Sequence, residues 1–438
     1  MNGCEPHLGR VVGVSGVAFT AFNCIVGVGI FSLPGLVAGV LGPAAIIAYF
    51  VCAMLIGLVG LCFAEAGSRV TASGGLYAYA AVAFGPVVGG VAGMLALLAG
   101  AIGSAAALAR FFVDTLTTIW PIIGNAGASL VLLIAIYGTL ALINMAGTRD
   151  GARLTVMIGV LKLAPLLAIL LFGFFAIEPA NLAWPAAPSV GKVGEGAMML
   201  VLAFMGVETG LGLSGETRDP ARTIPRALAI ALGGVALLYV ALQITVQGVL
   251  GAALAGTATP LADVAGALFG PRGASLLLLA TAISVGGYMV ADMLSAPRTL
   301  FALAEAGQLP RSFARIHPER QTPAVAIGLY ATAVVLVSAS GSFKQLVVLT
   351  VAGSLFLYLI VCLGVLRLRA KGVAQAGKPF VAPGGALVPV AAAAIILWLL
   401  STLAWSELVA GGLFVLVVAA IYAAREHLRP TTANALSI

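Results

Sequence analysis

A chain of 438 residues that is 61% hydrophobic and 8% charged is not an ordinary soluble domain, because such domains carry about 25% charged residues. Its net charge of +7 comes without a basic stripe interleaved with aromatics, which excludes nucleic acid as a partner. Three histidines (His7, His317, His427) and five cysteines (Cys4, Cys24, Cys52, Cys62, Cys362) show no metal-ligand spacing, no His-Glu-x-x-His pair and no disulfide framework, so no cofactor is expected and an intramembrane metal enzyme has no ligands.

The first ten residues run straight into an apolar stretch without a small-residue cleavage site, so a retained first span is expected and not a signal peptide. Twelve apolar segments follow, at about 11–40, 43–63, 86–112, 128–147, 154–177, 196–213, 227–250, 273–295, 323–340, 345–366, 387–405 and 408–424. Each is long enough to cross about 30 Å of hydrocarbon. With the N-terminus inside, seventeen of the 22 Lys and Arg residues fall in cytoplasmic positions, and only Arg110, Lys192, Arg272 and Lys344 fall near the outside. That bias places both termini in the cytoplasm.

The first span is unusual within itself. From Ala21 to Gly35 it carries Gly27 and Gly29, one residue apart, and then Pro34. Glycine tolerates non-helical angles and proline removes a donor, so a break is expected here. At membrane depth a break must line a cavity or give its backbone bonds to a ligand. Close packing of a neighbouring helix on the glycines is the other reading.

Span 5 holds Lys162, the one Lys or Arg within a span. An uncompensated cation there costs several kcal/mol, so it has a partner, reaches water, snorkels to the interface or loses its proton. Span 6 places Glu208 in an apolar helix beside Gly206 and Gly210. The carboxylate faces a cavity or forms a structural hydrogen bond that stitches a broken helix to its neighbour. Spans 1 and 6 hold matching positions in two five-helix units, and interrupted segments at such positions point to a binding site at a repeat interface.

Charged, proline-punctuated loops follow span 6 (Ser214 to Ala227) and span 8 (Pro297 to Pro310, then His317-Pro318 and Thr322-Pro323). With Gly27-Val28-Gly29-Ile30-Phe31, Ser73-Gly74-Gly75-Leu76-Tyr77-Ala78-Tyr79 and Phe204-Met205-Gly206-Val207-Glu208, they complete a set of five motifs. In this order the set resembles bacterial permeases of the amino acid–polyamine–organocation superfamily, from about Val11 to Ala424. The resemblance implies an all-α membrane protein of the leucine-transporter type. It would have twelve helices in a 5+5 inverted repeat, about 11–177 and 196–366, with helices 1 and 6 broken and two helices at about 387–424 appended.

It implies further that a substrate carboxylate lies against the N–H groups of Val28 and Gly29, and its ammonium against the carbonyls of Ile25, Leu202 and Met205. Gly27, Phe204, Gly206 and Glu208 belong to the same segments, and Ser104 matches a substrate-lining position on span 3. Leu202 stands where several relatives place a gating tryptophan. In the family a lysine at the place of Lys162 lies where sodium-coupled relatives bind sodium, so its ammonium would replace that ion.

With no spare mid-membrane carboxylate for a cationic side chain, the expected activity is secondary transport of neutral amino acids. It would be proton-coupled and sodium-independent, in a lipid bilayer. An exchanger or exporter on the same fold is the alternative, and a non-transporting amino acid sensor a more distant one.

Overall fold

Helix follows the apolar runs among the described residues. The computed structural model describes residues 13–27, 29–70, 75–146, 162–184, 186–206, 220–305, 307–317, 320, 322–375 and 379–428. Among them there is no strand, and seven helices are long and apolar enough to cross a membrane. Shorter apolar helices accompany these at 163–176, 324–339 and 387–401.

The first apolar run is two helices, α1 (Val14–Ile25) and α2 (Gly29–Leu41), separated by the non-helical residues around Gly27. The break lies before Pro34, and α2 continues through that proline. A 3-10 turn, Gly42–Ala44, leads into α3 (Ala45–Arg69), which runs six residues beyond its expected end. The extension exists because Glu65 and Arg69 are fixed by partners far along the chain.

The glycine motif after α3 becomes the start of a short helix, α4 (Leu76–Phe84). Next comes one long rod in three parts: α5 (Pro86–Leu95), a π-helical stretch (Ala96–Gly103) and α6 (Ser104–Ile119). It extends seven residues past the expected end at 112. Then follow α7 (Ala126–Ala146), α8 (Leu163–Gly173), α9 (Val190–Phe204), α10 (Pro220–Leu250), α11 (Pro260–Glu305), α12 (Ala324–Ala339), α13 (Phe343–Ala370), α14 (Leu387–Ser401) and α15 (Trp405–Leu428). Within α11 the chain kinks at Gly270, whose φ of 71° suits glycine, just before Pro271.

The helices pack as two groups. In one, α10 lies along α1 and α3, and α9 lies along α2 and α3. In the other, α12 packs on α7, α6 and α11, while α13 seats against the π-helical stretch. Helix α13 also touches α3, α4, α9 and α14 and so joins the groups. Small residues permit the close approaches: a methyl group on Gly103 would meet the Thr350 Oγ1 on α13 at 2.5 Å.

At the end of the molecule holding Arg69 and Arg369, polar contacts replace apolar ones. Glu65 is fully buried and accepts from Arg69 Nε (3.0 Å), Arg369 Nε (2.7 Å), Arg369 Nη2 (2.6 Å) and the Ala382 N–H (2.9 Å). Arg69 Nη1 donates on to the Val373 carbonyl at 3.2 Å. This knot closes α3, α13 and the segment before α14 on one another. Nearby, Gln308 Nε2 donates to Tyr77 Oη (3.0 Å) and Tyr422 Oη to the Gln308 carbonyl (2.9 Å). The motif after α3 and the loop after α11, separate in sequence, thus dock together.

Candidate functional site

The helical hydrogen-bond ladder stops twice, and the two stops face each other. Helix α1 ends at Ile25; Val26 still donates to Phe22, but its ψ of 69° leaves the helix, and the Gly27 N–H turns back onto the Ile25 carbonyl at 2.5 Å. Helix α9 ends at Phe204, after which Met205 is extended (ψ 152°) and Gly206 adopts a φ of +105°. Only Gly206 among the described break glycines needs the left-handed region, where a side chain is disfavoured. Gly29 is needed for a different reason: a Cβ there would lie 3.1 Å from the Ala203 Cα and 3.1 Å from Leu33 Cδ1. The start of α2 therefore presses against the end of α9.

One side chain fastens both stops. Tyr239, on α10 and fully buried, reaches the Ile25 carbonyl at 2.9 Å and the Ala203 carbonyl at 3.0 Å with its hydroxyl. Its ring packs edge-on against Phe204, centroids 5.1 Å apart. A hydroxyl carries one proton, so the two carbonyls share it. On α2, α3 and α10 several buried polar atoms have no hydrogen-bond partner among the described residues: Ser32 Oγ, Tyr49 Oη and both amide atoms of Gln243. Tyr49 stands within electrostatic reach of Tyr239. Buried polar groups are almost always bonded, so such a group marks room for a water or a ligand group.

The start of α2 offers the complementary chemistry. The first N–H groups of a helix have no intrahelical acceptor and carry a partial positive charge. From Gly13 to Cys62 the chain contains no Asp, Glu, Lys or Arg. An anion at the break would therefore be met by backbone, without a side-chain cation on α1, α2 or the first part of α3.

The structure brings together Ile25, Gly27, Gly29, Leu202, Phe204, Met205 and Gly206. The Ile25 carbonyl is committed to the Gly27 N–H and to Tyr239, and the Leu202 carbonyl accepts from the Met205 N–H at 3.3 Å. Val28 and Glu208 lie outside the described residues. Ser104 stands apart, at the joint between the π-helical stretch and α6; it is buried, and its hydroxyl has no described partner. A serine within a helix ordinarily bonds its own backbone, and this one does not. Lys162 immediately precedes α8, is partly exposed, and is engaged in an interaction of its own.

Sequence reasoning missed Tyr239, Tyr49 and Gln243. Each is a polar group inside an apolar run, and that was the available signal. Only the fold shows that Tyr239 points at the break.

Residues 12–429 match the model of a family described as amino acid permease. The chain is 27% identical to the branched-chain amino acid permease BcaP of Lactococcus lactis over 84% of its own length and 83% of that protein's. It is 27% identical to the serine/threonine exchanger SteT of Bacillus subtilis, over 86% of each chain. It is 25% identical to the methylthioribose transporter of Bacillus subtilis, over 91% of this chain and 89% of that one.

Proposed function

Since this chain belongs to the amino acid permease family, we propose that it carries neutral amino acids across the membrane by alternating access, coupled to protons and independent of sodium. Membership makes it a multi-pass membrane transporter of amino acids and not an enzyme. The finer reading rests above all on the pair of facing helix stops fastened by Tyr239. Broken helices that face each other are where transporters of inverted-repeat design hold their substrates. We place twelve crossings here, repeats at about 11–177 and 196–366, two further helices at about 387–424, and both termini in the cytoplasm.

In this reading the substrate carboxylate caps the N-terminus of α2 at Val28 and Gly29. Its ammonium meets the carbonyls of Leu202 and Met205, and that of Ile25 once Tyr239 lets go. Gly27, Phe204, Gly206 and Glu208 shape the same segments, and Ser104 lines the far wall. Two of the relatives are named for branched-chain amino acids and for serine and threonine, all uncharged in the side chain, which supports a neutral substrate. The name of the second also supports an exchanger on the same fold as the alternative.

Uptake of the twenty amino acids by proteoliposomes, with imposed proton or sodium gradients, tests the reading. Accumulation of a neutral amino acid driven by protons alone is expected, and a sodium requirement would overturn it. Lys162 is the proposed proton carrier, because it is the one Lys or Arg within an expected span and a lysine in a membrane can release its proton. Lys162→Ala is expected to abolish proton-driven accumulation while counterflow exchange persists. Undiminished accumulation in that variant would remove Lys162 from the mechanism. Exchange without net uptake in wild type would select the exchanger.

A further inference from the structure

Asp292 on α11 is the one acidic residue of that helix between Asp263 and Glu305, and the transport site described above does not use it. Its Oδ2 accepts from the hydroxyl of Tyr330 on α12 at 2.6 Å. Tyr288, one turn earlier on α11, lies beside the same carboxylate. Tyr137 on α7, fully buried, stands within its electrostatic reach, and the Tyr137 hydroxyl has no described partner. The surroundings are apolar: Met289 and Met293 on either side are each 1% exposed.

Among the described residues, two of the charged groups on the elements packed around it have partners of their own. Arg298 bonds the Leu294 carbonyl, Arg110 pairs with Asp114, and Lys162 before α8 has its own interaction. Arg311 and Arg315 lie in the turn after α11, and α12 contributes only Tyr330. A carboxylate that already accepts from a tyrosine hydroxyl, with further tyrosines beside it, is poorly made for a metal ion. The hydroxyl protons occupy the lone pairs that a hard cation would need.

Tyr330 has a second acceptor in reach. Its hydroxyl lies 3.3 Å from the Ala101 carbonyl, inside the π-helical stretch and three residues before Ser104. When Asp292 is ionised, the single Tyr330 proton points to the carboxylate. When Asp292 takes a proton, the new O–H donates to Tyr330 Oη, and the Tyr330 proton turns to the Ala101 carbonyl. No bond other than the carboxyl O–H forms or breaks, and the incoming proton is the only charge gained. The π-helical stretch thereby gains a hydrogen bond next to Ser104.

We propose that Asp292 is a second proton-binding site of this transporter, and that Tyr330 relays its protonation state to the wall of the substrate site through Ala101. The inference rests on the transport reading for its purpose, not for its chemistry. Acid-induced infrared difference spectra of the purified protein in lipid read carboxyl protonation directly. A carboxyl band is expected in wild type, lost in Asp292→Asn and moved in frequency in Tyr330→Phe. With L-valine and L-serine as probes, the pH dependence of proteoliposome uptake is expected to flatten in Asp292→Asn.

An unchanged band in Asp292→Asn overturns the proposal. So does an equal fall in uptake at every pH in both variants, which is the mark of a merely structural hydrogen bond. If Asp292→Asn does not fold, the displaced band of Tyr330→Phe and of Asp292→Glu decides in its place. Failure of wild type to take up either probe counts against the transport reading alone, because the infrared band still decides the fate of Asp292.

Discussion

The knot at Glu65 and the fastening at Tyr239 both tie helices that are distant in sequence, and they do so in opposite ways. Glu65 accepts four hydrogen bonds, two of them from one arginine in a fork, and has no lone pair to spare. At the break, one neutral hydroxyl holds two carbonyls, while Ser32, Tyr49 and Gln243 on α2, α3 and α10 have no partner among the described residues. A saturated charged site resists opening. An unsaturated neutral site can exchange its bonds for those of a ligand at small net cost, since such a hydrogen bond contributes about 0.5–1.5 kcal/mol. The contrast separates a saturated, charged contact from an unsaturated, neutral one.

Removing Glu65 is the strongest way to break this comparison. Glu65→Ala leaves two arginines facing each other without their carboxylate, and loss of one partner of a buried pair costs about 3–5 kcal/mol. The expected result is a large drop in thermal stability of the purified protein, and wild-type stability would deny the knot its role. Gly29→Val comes next. The close approach to Ala203 means overpacking of about 1–3 kcal/mol, and the side chain intrudes where a carboxylate would approach. Folded, monodisperse protein that no longer binds substrate is expected; wild-type affinity would refute the site, and loss of folded protein would favour a packing role.

Tyr239→Phe removes one hydroxyl and keeps the ring against Phe204, so a stability loss of about 1 kcal/mol is expected. Transport should change more than stability, because the ends of α1 and α9 lose their common anchor. A variant with unaltered transport would reduce Tyr239 to packing. The smallest effect is expected at the other end of the helix that carries Arg369. Lys344 pairs with Glu195 at 3.6 Å, both side chains roughly half exposed. Exposed pairs contribute little, so Lys344→Ala should leave stability unchanged within about 1 kcal/mol. A loss like that of Glu65→Ala would show that burial is not what separates the two ion pairs of α13.

The spans and the first break were legible in the residues because a membrane forces each backbone group to be satisfied locally. A long apolar run then has to be helix, and Gly27 and Gly29 mark where the helix fails, whereas Pro34 lies inside α2. The expected interruption of span 1 corresponds to the gap between Ile25 and Gly29; in span 6 helix α9 ends at Phe204 with a turn at Met205 and Gly206, and residues 207–219 lie outside the described ones. The reason for Gly29 was not legible: it serves a close approach to Ala203 and has no positive φ. The π-helical stretch before Ser104 was equally hidden, because its apolar, small residues suit an α-helix as well.

What the chain determines alone is therefore its class, its apolar segments, the place of its breaks and its family. What only the tertiary structure decided is which side chains complete them. Tyr239 meets Ile25 across 214 residues and Arg369 meets Glu65 across 304. No local periodicity encodes such a meeting, because it depends on how whole helices pack. A tyrosine in an apolar run reads the same whether it faces lipid, core or a broken helix, and only the fold chooses among them.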